Sequence, residues 1–413
     1  MNDVTRLQDR SGNTGAILVI NCGSSSVKFA VFTSERSPLR FWSGSIDRIG
    51  VANTRFHIVD NQGQTVIDQA DPIADHETAL AQVLDTIDRR ASQLALAAVG
   101  HRIVHGGADC DCPVIVTSAV EARLQQLVPL APLHQPHNLA GIAAVRKTRP
   151  SLSQIACFDT AFHHDLPRLA TLTALPRAFY GEGVRRFGFH GLSYEYIVDA
   201  LRRSGVDVDH ERIVIAHLGN GASMCAVSGG RSVETTMGFS TLAGLPMGTR
   251  CGDLDPGIVL YLLKAKGMTV ERVEHLLYEE SGLLGVSGVT SNMQDLLSRP
   301  DTQTAIEAVE VFCYQARRHL AALTATLGGL DRVVFTGGIG ANAPIVRAKI
   351  CAGLEYLDLK LDEARNASND PIVSAHSSRV AVQALPTDEE LTIARHVREM
   401  LTAQPKSVRE AQR

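Results

Sequence analysis

Two segments of this 413-residue chain share one pattern, and that repetition restricts the possible folds more than any other feature. In the first segment, an apolar run at 17–20 meets a turn of small residues at 23–26 and continues as an alternating strand pattern. In the second, an apolar run at 212–216 meets the glycine turn at 219–221 and leads into another apolar stretch. A strand, a small-residue turn and a second strand, present twice, predict a duplicated domain.

Glycine-rich turns at strand ends suggest phosphate binding, because glycine lets backbone N–H groups approach phosphate oxygens without a Cβ in the way. Aligning Gly23 with Gly219 also places Asn21 on His217. A third turn, 337–340, follows a predicted strand at 332–336 and precedes a helix predicted from Ala343, whose dipole would add positive potential. Each turn alone is typical of an ordinary tight turn, but together they favour a two-lobed nucleotide site.

Length and composition limit the function classes. A chain this long exceeds one ordinary core, so two domains are expected, and 45% hydrophobic residues suffice to bury them. The net charge of −4 and a pI near 6.4 argue against a nucleic-acid partner. The polar N-terminus lacks the apolar region of a signal peptide, and no apolar run is long enough to span a membrane. The eight cysteines fit neither zinc spacing nor a disulfide scaffold, which favours reduced thiols and a cytoplasmic location.

Further secondary structure follows from the same patterns. Alternating segments at 54–59 and 65–67 predict antiparallel strands, an Ala/Leu-rich stretch at 78–96 predicts a helix, and 97–104 reads as a buried strand.

Two arginines lie where packing alone would not place them. Arg102 closes the predicted buried strand, where a guanidinium needs a partner: a structural ion pair and an anion in a ligand site are both open. Arg250 lies in a loop between Gly248 and Gly252 that leads to a helix start at Pro256, and is a candidate clamp on a transferring phosphoryl group.

Three further polar positions have both a structural and a functional interpretation. Asp159 ends a strand pattern, where it could cap a turn or face a ligand. His190, among aromatics and glycines, could be a core histidine or a donor to developing charge. The acids after Thr387 predict a helix start with Thr387 as N-cap, and one of them could also face Mg²⁺. No histidine has partners at zinc spacing.

At this point the chain resembles one family closely, the acetate kinases of the acetate and sugar kinase/actin/chaperone ATPase superfamily. The resemblance extends over about residues 16–397 and rests on nine stretches in the family's order. These are INCGSSSVKF from Ile20, GHRIVHGG from Gly100, APLHQPHN from Ala131, FDTAFH from Phe158, GFHGLSYEY from Gly188, HLGNGAS from His217, MGTRCGDLDPG from Met247, FTGGIGAN from Phe335 and PTDEEL from Pro386.

The resemblance implies an α/β fold of two actin-like lobes, each on a βββαβαβα (ribonuclease H-like) core, with the nucleotide in the cleft. The expected organisation is an N-terminal extension at 1–15, lobe I at 16–162 plus 390–413, and lobe II at 163–389. The implied reaction is reversible, Mg²⁺-dependent transfer of the ATP γ-phosphoryl group to acetate by direct in-line displacement, giving acetyl phosphate and ADP. Mn²⁺ is expected to substitute for Mg²⁺, and a homodimer with no nucleic-acid or membrane partner is implied.

Site roles are also carried over from the family. The implied catalytic residues are Arg102, Asp159, His190 and Arg250, and the implied metal ligands are Asn21 and Glu389. Arg102 would bind the substrate carboxylate, beside an apolar pocket of Val104, Leu133 and Phe189. The implied nucleotide-binding residues are Lys28, His217, Leu218, Gly219, Asn220, Gly221, Asn292, Met293, Gln294, Gly337, Gly338, Ile339, Gly340 and Ala341.

Departures from the family's pattern leave alternatives open. The usual Asp-x-Arg near the nucleotide reads Asn292-Met293-Gln294, and the Glu after GGIG is Ala341, so charge around the nucleoside is reduced. Thr241 replaces a proline often found in the acid pocket, which leaves propionate open. The alternatives are a propionate or butyrate kinase, a carboxylate kinase with another phosphoryl donor such as pyrophosphate, and a non-catalytic nucleotide-binding relative.

Overall fold

The computed structural model describes residues 15–91 and 94–403, and these divide into two compact units. Within the described residues, the first unit comprises 15–159 and 389–403, and the second comprises 160–388. Each unit contains its own sheet.

The first unit is built on an eight-stranded sheet in the order β5-β4-β3-β2-β1-β6-β8-β7. Strands β1 to β5 pair antiparallel in succession, whereas β6 runs parallel to β1 and β8 parallel to β6. The elements are β1 (Ala16–Cys22), β2 (Ser26–Thr33), β3 (Arg40–Asp47), β4 (Arg55–Asp60), β5 (Thr65–Gln69), α1 (His76–Arg90), β6 (Leu96–Ile103), β7 (Val114–Ile115), α2 (Ser118–Gln126), α3 (Gln135–Thr148), β8 (Ser153–Phe158) and, at the end of the described chain, the helix Glu389–Ala403.

Helices cover this sheet because its central strands are apolar on both faces, as in parallel sheets generally. Asp75 caps α1 by accepting from the Thr78 N–H, and the buried stripe of α1 packs on the core. The helix Glu389–Ala403 contacts β1 and β6. A Cβ on Gly100 of β6 would lie 2.5 Å from Ile393 and 2.7 Å from Val397, so glycine is required there for the helix to approach the strand.

The second unit contains a five-stranded sheet in the order β11-β10-β9-β12-β13. Strands β9, β10 and β11 are antiparallel, and β12 and β13 continue parallel to β9. The elements are α4 (Arg168–Thr171), α5 (Arg177–Gly181), α6 (Gly191–Arg203), β9 (Ile213–Leu218), β10 (Ala222–Ser228), β11 (Arg231–Thr235), α7 (Pro256–Lys264), α8 (Val270–Glu279), α9 (Gly282–Ser287), α10 (Met293–Leu297), α11 (Gln303–Leu327), β12 (Arg332–Thr336), α12 (Gly337–Asn342), α13 (Pro344–Cys351), α14 (Glu363–Ala367) and β13 (Ala381–Ala384); the helix Glu389–Ala403 of the first unit is α15.

The two sheets repeat one topology. In each, three consecutive antiparallel strands are extended by two parallel strands on the side of the first strand: β3-β2-β1-β6-β8 in one unit and β11-β10-β9-β12-β13 in the other. The predicted duplication is therefore confirmed, and so are the strands predicted around the first two glycine turns.

Several local expectations are corrected. The helix predicted at 78–96 ends at Arg90. The glycines at 337–340 form the first turns of α12 instead of a tight turn that precedes a helix. Thr387 is not an N-cap, because α15 begins at Glu389 and the Thr387 hydroxyl has no hydrogen-bond partner.

No helix within the described residues is long and apolar enough to cross a membrane.

Candidate functional site

In the first unit, the small-residue turn between β1 and β2 carries two of the predicted site residues. Asn21 and Lys28 are directly opposite each other in the strand register, so their side chains share one face of the sheet. The turn is closed by the Gly23 N–H, which donates to the Ser26 carbonyl at 2.8 Å. The Nε2 atom of His76, at the start of α1, lies 2.7 Å from the Gly23 carbonyl and stabilises the turn.

The ends of β6 and β8 bring together three predicted site residues. Arg102 donates from Nε and Nη2 to the two carboxylate oxygens of Asp159, at 3.0 and 2.6 Å. Its Nη1 lies 3.5 Å from Glu389, at the start of α15. Burial lowers the pKa of Arg102, but the two carboxylates more than offset this and raise it overall. The guanidinium is therefore ion-paired, and the pair belongs to a cluster of predicted site residues; binding of a ligand anion by Arg102 stays a prediction.

Helix α3 holds the strand ends of the first unit in place. Its Asn138 accepts from the Val104 N–H at 3.0 Å and donates to the Cys22 carbonyl at 3.1 Å, which joins the end of β6 to the end of β1. Gln135 donates from Nε2 to the His105 carbonyl at 3.1 Å. Val104 is buried at 6% exposure, and Leu133 is half-buried just before this helix. The contact with Asn138 fixes Val104, one of the two predicted pocket residues of this unit.

In the second unit, the glycine turn between β9 and β10 is shorter than its counterpart. The Gly219 N–H donates to the Gly221 carbonyl at 3.0 Å. Asn220 is exposed at the tip, and its carbonyl accepts from the Gly248 N–H at 2.9 Å. A Cβ on Gly248 would lie 2.0 Å from the Asn220 side-chain oxygen, so the loop that carries Arg250 packs closely on this turn, and a larger residue would require Asn220 to move.

His190 lies beside this turn and is held by several neighbours. It has a left-handed backbone (φ 59°) immediately before α6, and its ring stacks on that of His217 with centroids 4.3 Å apart. Its Nδ1 lies 2.8 Å from the Ser223 hydroxyl, which also bonds the Tyr194 hydroxyl. The His217 Nδ1 in turn lies 2.8 Å from the Ser193 hydroxyl.

The Arg250 loop is tightly constrained. Arg250 donates from Nη1 to the Thr241 carbonyl at 3.1 Å, and its own carbonyl accepts from the Met247 N–H. The segment that contains Thr241 also holds the residues before Phe189. The carbonyl of Gly238, three residues before Thr241, accepts from the N–H groups of Phe187 and Gly188. Phe189 itself is 1% exposed. Arg250, Thr241 and Phe189 therefore belong to one connected set of loops.

The third glycine element shows why its residues must be small. Gly337 has φ 75°, and a Cβ there would lie 2.6 Å from the Leu218 carbonyl, so α12 begins in direct backbone contact with the end of β9. Gly338 faces open space. Arg347 of α13 donates from Nη1 to the carbonyls of Gly340 and Ala341, and so holds the far end of this element.

The predicted nucleoside segment at 292–294 has a clear structural role. Asn292 caps α10 by accepting from the N–H groups of Gln294 and Asp295, at 2.8 and 3.2 Å. Met293 is buried, whereas Asn292 and Gln294 are exposed. Both polar side chains lie at the surface of the second unit.

Sequence patterns did not single out Ser193, Tyr194, Ser223, Asn138 or Arg347, although each holds a predicted site residue. Serine and asparagine near glycine turns are common, so their identity carries little signal. Arg347 lies three residues after Pro344 at the start of α13, and its complete burial is apparent only in the structure. Within the described residues, no cluster of three or more His, Cys, Asp or Glu side chains could hold a metal ion by itself.

Three comparisons place the chain among known proteins. The sequence model of the acetokinase family matches residues 16–395. An acetate kinase from Rhodopseudomonas palustris strain TIE-1 is 50% identical over 388 residues, which cover 92% of this chain and 97% of that protein.

Solved structures agree with the sequence match. The crystal structure of an acetate kinase from Entamoeba histolytica is 34% identical, with a TM-score of 0.83 and coverage of 93% of this chain and 99% of that one. A propionate kinase from Francisella tularensis is 31% identical, with a TM-score of 0.87 and coverage of 92% and 98%.

Proposed function

The chain belongs to the acetokinase family, and on that premise we propose that it transfers the γ-phosphoryl group of ATP reversibly to acetate, giving acetyl phosphate and ADP by direct in-line displacement. Its fold is the α/β class of its structural neighbours, with two lobes that each contain a ribonuclease H-like core. The observation that carries the proposal is the family match along nearly the whole chain, together with 50% identity to an acetate kinase.

The chemistry requires electrostatic help and positioning more than proton transfer. A carboxylate is already ionised at neutral pH, so it attacks phosphorus without a general base. What slows the reaction is repulsion between that carboxylate and the phosphate oxygens, and the need for in-line alignment. Arg102 is suited to bind the acid, while His190 and Arg250 are suited to offset charge on the phosphoryl oxygens.

The contacts of Asp159 support a positioning role. Both of its oxygens accept from Arg102, and it is 1% exposed. A carboxylate engaged in this way orients the guanidinium. A guanidinium held in the correct plane can donate from its remaining N–H groups to a substrate carboxylate.

Membership of the family implies ATP or ADP as substrate and a divalent metal, and we propose Mg²⁺. The residues present fit this ion, because Asn21 and Glu389 offer the amide and carboxylate oxygens that Mg²⁺ prefers, and Mg²⁺ takes its other ligands from phosphates and water. Bound there, the ion would offset charge on the phosphate oxygens of the nucleotide. Removal of divalent ions with EDTA should abolish turnover, and added Mg²⁺ or Mn²⁺ should restore it.

Nucleotide binding is proposed at the backbone turns of the second unit, and Lys28 is proposed separately as a phosphate contact. The turn at 219–221 and the start of α12 are rich in glycine and present backbone groups. At the start of α12, Gly337 has no room for a Cβ, and Gly338 faces open space. Asn292, Gln294 and Ala341 replace the family's charged residues near the nucleoside. Turnover with ATP compared with other nucleoside triphosphates and with pyrophosphate determines whether the phosphoryl donor has changed.

Thr241 is the reason that propionate is kept as an alternative substrate. Thr241 is 6% exposed, its carbonyl accepts from Arg250, and its segment bonds the residues just before Phe189. A threonine where the family often has proline changes the polarity and size of the predicted acid pocket. The solved propionate kinase shares the fold over most of both chains.

One assay tests these proposals together. Purified protein is supplied with ATP, Mg²⁺ and acetate, propionate or butyrate, and the acyl phosphate is trapped with hydroxylamine. We expect trapped product with acetate and the highest kcat/KM for that acid. A higher kcat/KM for propionate would reassign the substrate, and no product with any acid would contradict the enzymatic proposal and favour a non-catalytic nucleotide-binding protein.

The role of Arg250 has its own test. Arg250→Ala should lower kcat by about 10² to 10³, or 3–4 kcal/mol, while KM for acetate changes little, because a clamp on the phosphoryl group acts mainly in the transition state. An unchanged kcat with a raised KM would show that Arg250 only binds substrate.

Two further properties are proposed. The first is a homodimer, supported by helix α7, which is apolar yet has no buried residue: Ile258, Leu260 and Tyr261 are 43, 52 and 53% exposed. Sedimentation of the wild type and of Leu260→Asp tests whether α7 is the contact. The second is a cytoplasmic location, supported by the eight cysteines, which all lie in described segments and form no disulfide there.

A further inference from the structure

The start of helix α6 and two neighbouring strands form an interlocking polar arrangement around His190. Ser223 of β10 lies directly opposite His217 of β9 in the strand register, so the two side chains share one face of the sheet. His190 and Tyr194 are four residues apart at the helix start, where the Tyr194 N–H donates to the His190 carbonyl at 3.2 Å. Residues four apart lie on the same face of a helix, and here both reach Ser223.

The three side chains form a chain of hydrogen bonds that is shielded from water. Tyr194 and Ser223 are both fully buried, and His190 is 9% exposed. The Ser223 hydroxyl bonds the Tyr194 hydroxyl on one side and lies 2.8 Å from the His190 Nδ1 on the other. A serine hydroxyl has a single proton, so it can donate to only one of these neighbours and must accept from the other.

The chemistry of the two neighbours favours one direction. A phenol is a better hydrogen-bond donor than an aliphatic hydroxyl, so Tyr194 donates to the Ser223 oxygen. Ser223 then donates to the His190 Nδ1, and the imidazole proton resides on Nε2. That nitrogen faces the glycine turn, because a Cβ built on Gly221 would lie 3.1 Å from the His190 Nε2.

We propose that Ser223 and Tyr194 are positioning residues that hold His190 in one orientation and one tautomer, with an N–H directed at the turn at 219–221. The functional part of this inference rests on the proposed phosphoryl transfer. A donor fixed in advance stabilises developing charge without reorganisation during the reaction, whereas a freely rotating ring would have to be ordered first. Stacking on His217 limits the tilt of the ring, and the hydroxyl pair determines which edge points at the turn.

The direct test is the protonation of the His190 ring. Protein labelled with ¹⁵N in its histidines, which number 15, gives imidazole nitrogen shifts that distinguish the two tautomers, and His190→Gln identifies the signal of interest. We expect a single Nε2–H tautomer in the wild type and a mixture in Ser223→Ala. A wild type with the proton on Nδ1, or an unchanged single tautomer in Ser223→Ala, would overturn the proposal.

Kinetics supply the second readout. Ser223→Ala should lower kcat at least about tenfold with little change in either KM, because orientation of a charge-stabilising group matters most in the transition state. Tyr194→Phe removes one oxygen from the core and should lower kcat about three- to tenfold, the equivalent of one ordinary hydrogen bond. The double variant should be no slower than Ser223→Ala, because the two hydroxyls act as a unit. Full additivity, or a kcat within twofold of wild type in both single variants, would contradict the proposal.

Ser232→Ala is the matched control. Ser232 is also a buried serine whose hydroxyl lies close to a histidine Nδ1, 2.7 Å from that of His163, and it follows in the next strand of the same sheet. We expect it to lower the melting temperature about as much as Ser223→Ala while kcat stays within about twofold of wild type. Equal loss of kcat in both would mean that any lost serine contact in this sheet has the same effect, which would refute a specific role for Ser223.

The two readouts separate failure of this inference from failure of the proposed function. The tautomer is measured without turnover, so a wild type that forms no acetyl phosphate would still show whether Ser223 sets the His190 proton. Conversely, an active enzyme in which Ser223→Ala leaves the His190 tautomer unchanged would contradict the positioning role alone.

Discussion

The two sheets share a five-strand core of the same topology but carry different chemistry at the carboxyl ends of their parallel strands. In the first unit, β6 and β8 lead into Arg102 and Asp159, charged side chains that pair with each other. In the second unit, β12 leads into Gly337 and a helix whose first turns contact β9 through backbone alone. One scaffold is thus suited to two tasks: side-chain charge for a small anion in one unit, and exposed backbone for phosphates in the other.

The same contrast appears in how each unit accommodates a buried guanidinium. Arg102 is neutralised by two carboxylates, which raise its pKa despite burial. Arg347 is fully buried, and its guanidinium donates to carbonyl and amide oxygens of Gly340, Ala341, Asn366 and Asn369; burial lowers its pKa. The first arginine is thus held by charged side chains, whereas the second is held mainly by backbone carbonyls and side-chain amides.

The largest expected effect tests the charged unit. Arg102→Ala leaves Asp159 buried without its main counter-charge and should reduce the free energy of unfolding by about 3–5 kcal/mol, as loss of one partner of a buried pair typically does. It should also raise KM for acetate. Urea denaturation and steady-state kinetics measure the two effects.

Arg40→Ala is the matched control for that variant. Arg40 pairs with Glu390, the neighbour of Glu389 on α15, but both side chains are about one quarter exposed. We expect a loss within about 1 kcal/mol. Similar losses in both variants would show that burial does not distinguish the two pairs.

A second prediction tests the backbone-lined unit at Arg347. Arg347→Met should cost about 3 kcal/mol or more, because several buried carbonyl and amide oxygens lose their donor at once, and KM for ATP should rise as the α12 element loosens. Arg317 provides the control, since it also donates to carbonyls, those of Lys349 and Ile350, but is half-buried. If Arg317→Met raised KM for ATP equally, the effect could not be assigned to contact with α12.

A third prediction concerns the close approach of α12 to β9. Gly337→Ala should destabilise the protein by about 1–3 kcal/mol, because the position has positive φ and the new methyl meets the Leu218 carbonyl. Gly338→Ala, one residue further into open space, should leave the melting temperature nearly unchanged. Equal melting temperatures for the two variants would mean that the backbone contact is not required.

The last prediction is a dependence of stability on pH. Burial lowers the pKa of His101 and His105 in the first unit and of His163 in the second to about 4. In the unfolded chain these histidines titrate near 6.5, so between about 6.5 and 4 the unfolded state binds more protons. Stability should therefore be complete above pH 6.5 and fall as the pH is lowered, by up to about 1.4 kcal/mol per pH unit for each histidine.

Urea denaturation at pH 7, 6 and 5 measures this slope. His101→Gln should reduce it, since a glutamine retains a polar contact to Gln154 without a titrating group. A slope that is identical in the variant would mean that His101 is not among the groups responsible.

Much of the fold followed from local pattern. The alternating strands around Gly23 and the apolar run before Gly219 were recognisable because strand periodicity and small-residue turns are short-range signals. Their repetition predicted the duplication, and the family resemblance placed Arg102 and Asp159 among the site residues; the structure brings these two together. The role assigned to each site residue stays a prediction until the variants above are measured.

Other features depended on partners distant in sequence. Nothing near Ser223 indicates that it bonds His190, because that contact exists only once β10 lies beside the start of α6. The requirement for glycine at Gly100 likewise comes from α15, almost three hundred residues later in the chain. The end of α1 at Arg90 was misjudged because an Ala/Leu-rich sequence has no local stop signal.

The sequence by itself determined where strands and turns occur, that the unit is duplicated, and which residue types are available for phosphoryl transfer. Those properties follow from periodicity, glycine content and motif order, all of which are local. Only the tertiary structure decided that Arg102 is shared by Asp159 and Glu389, that backbone of α12 meets backbone of β9, and that Ser223 lies between Tyr194 and His190. The physical reason is that a hydrogen bond or close contact forms only when its atoms are placed to within a few tenths of an ångström. For elements far apart in the chain, packing sets those positions.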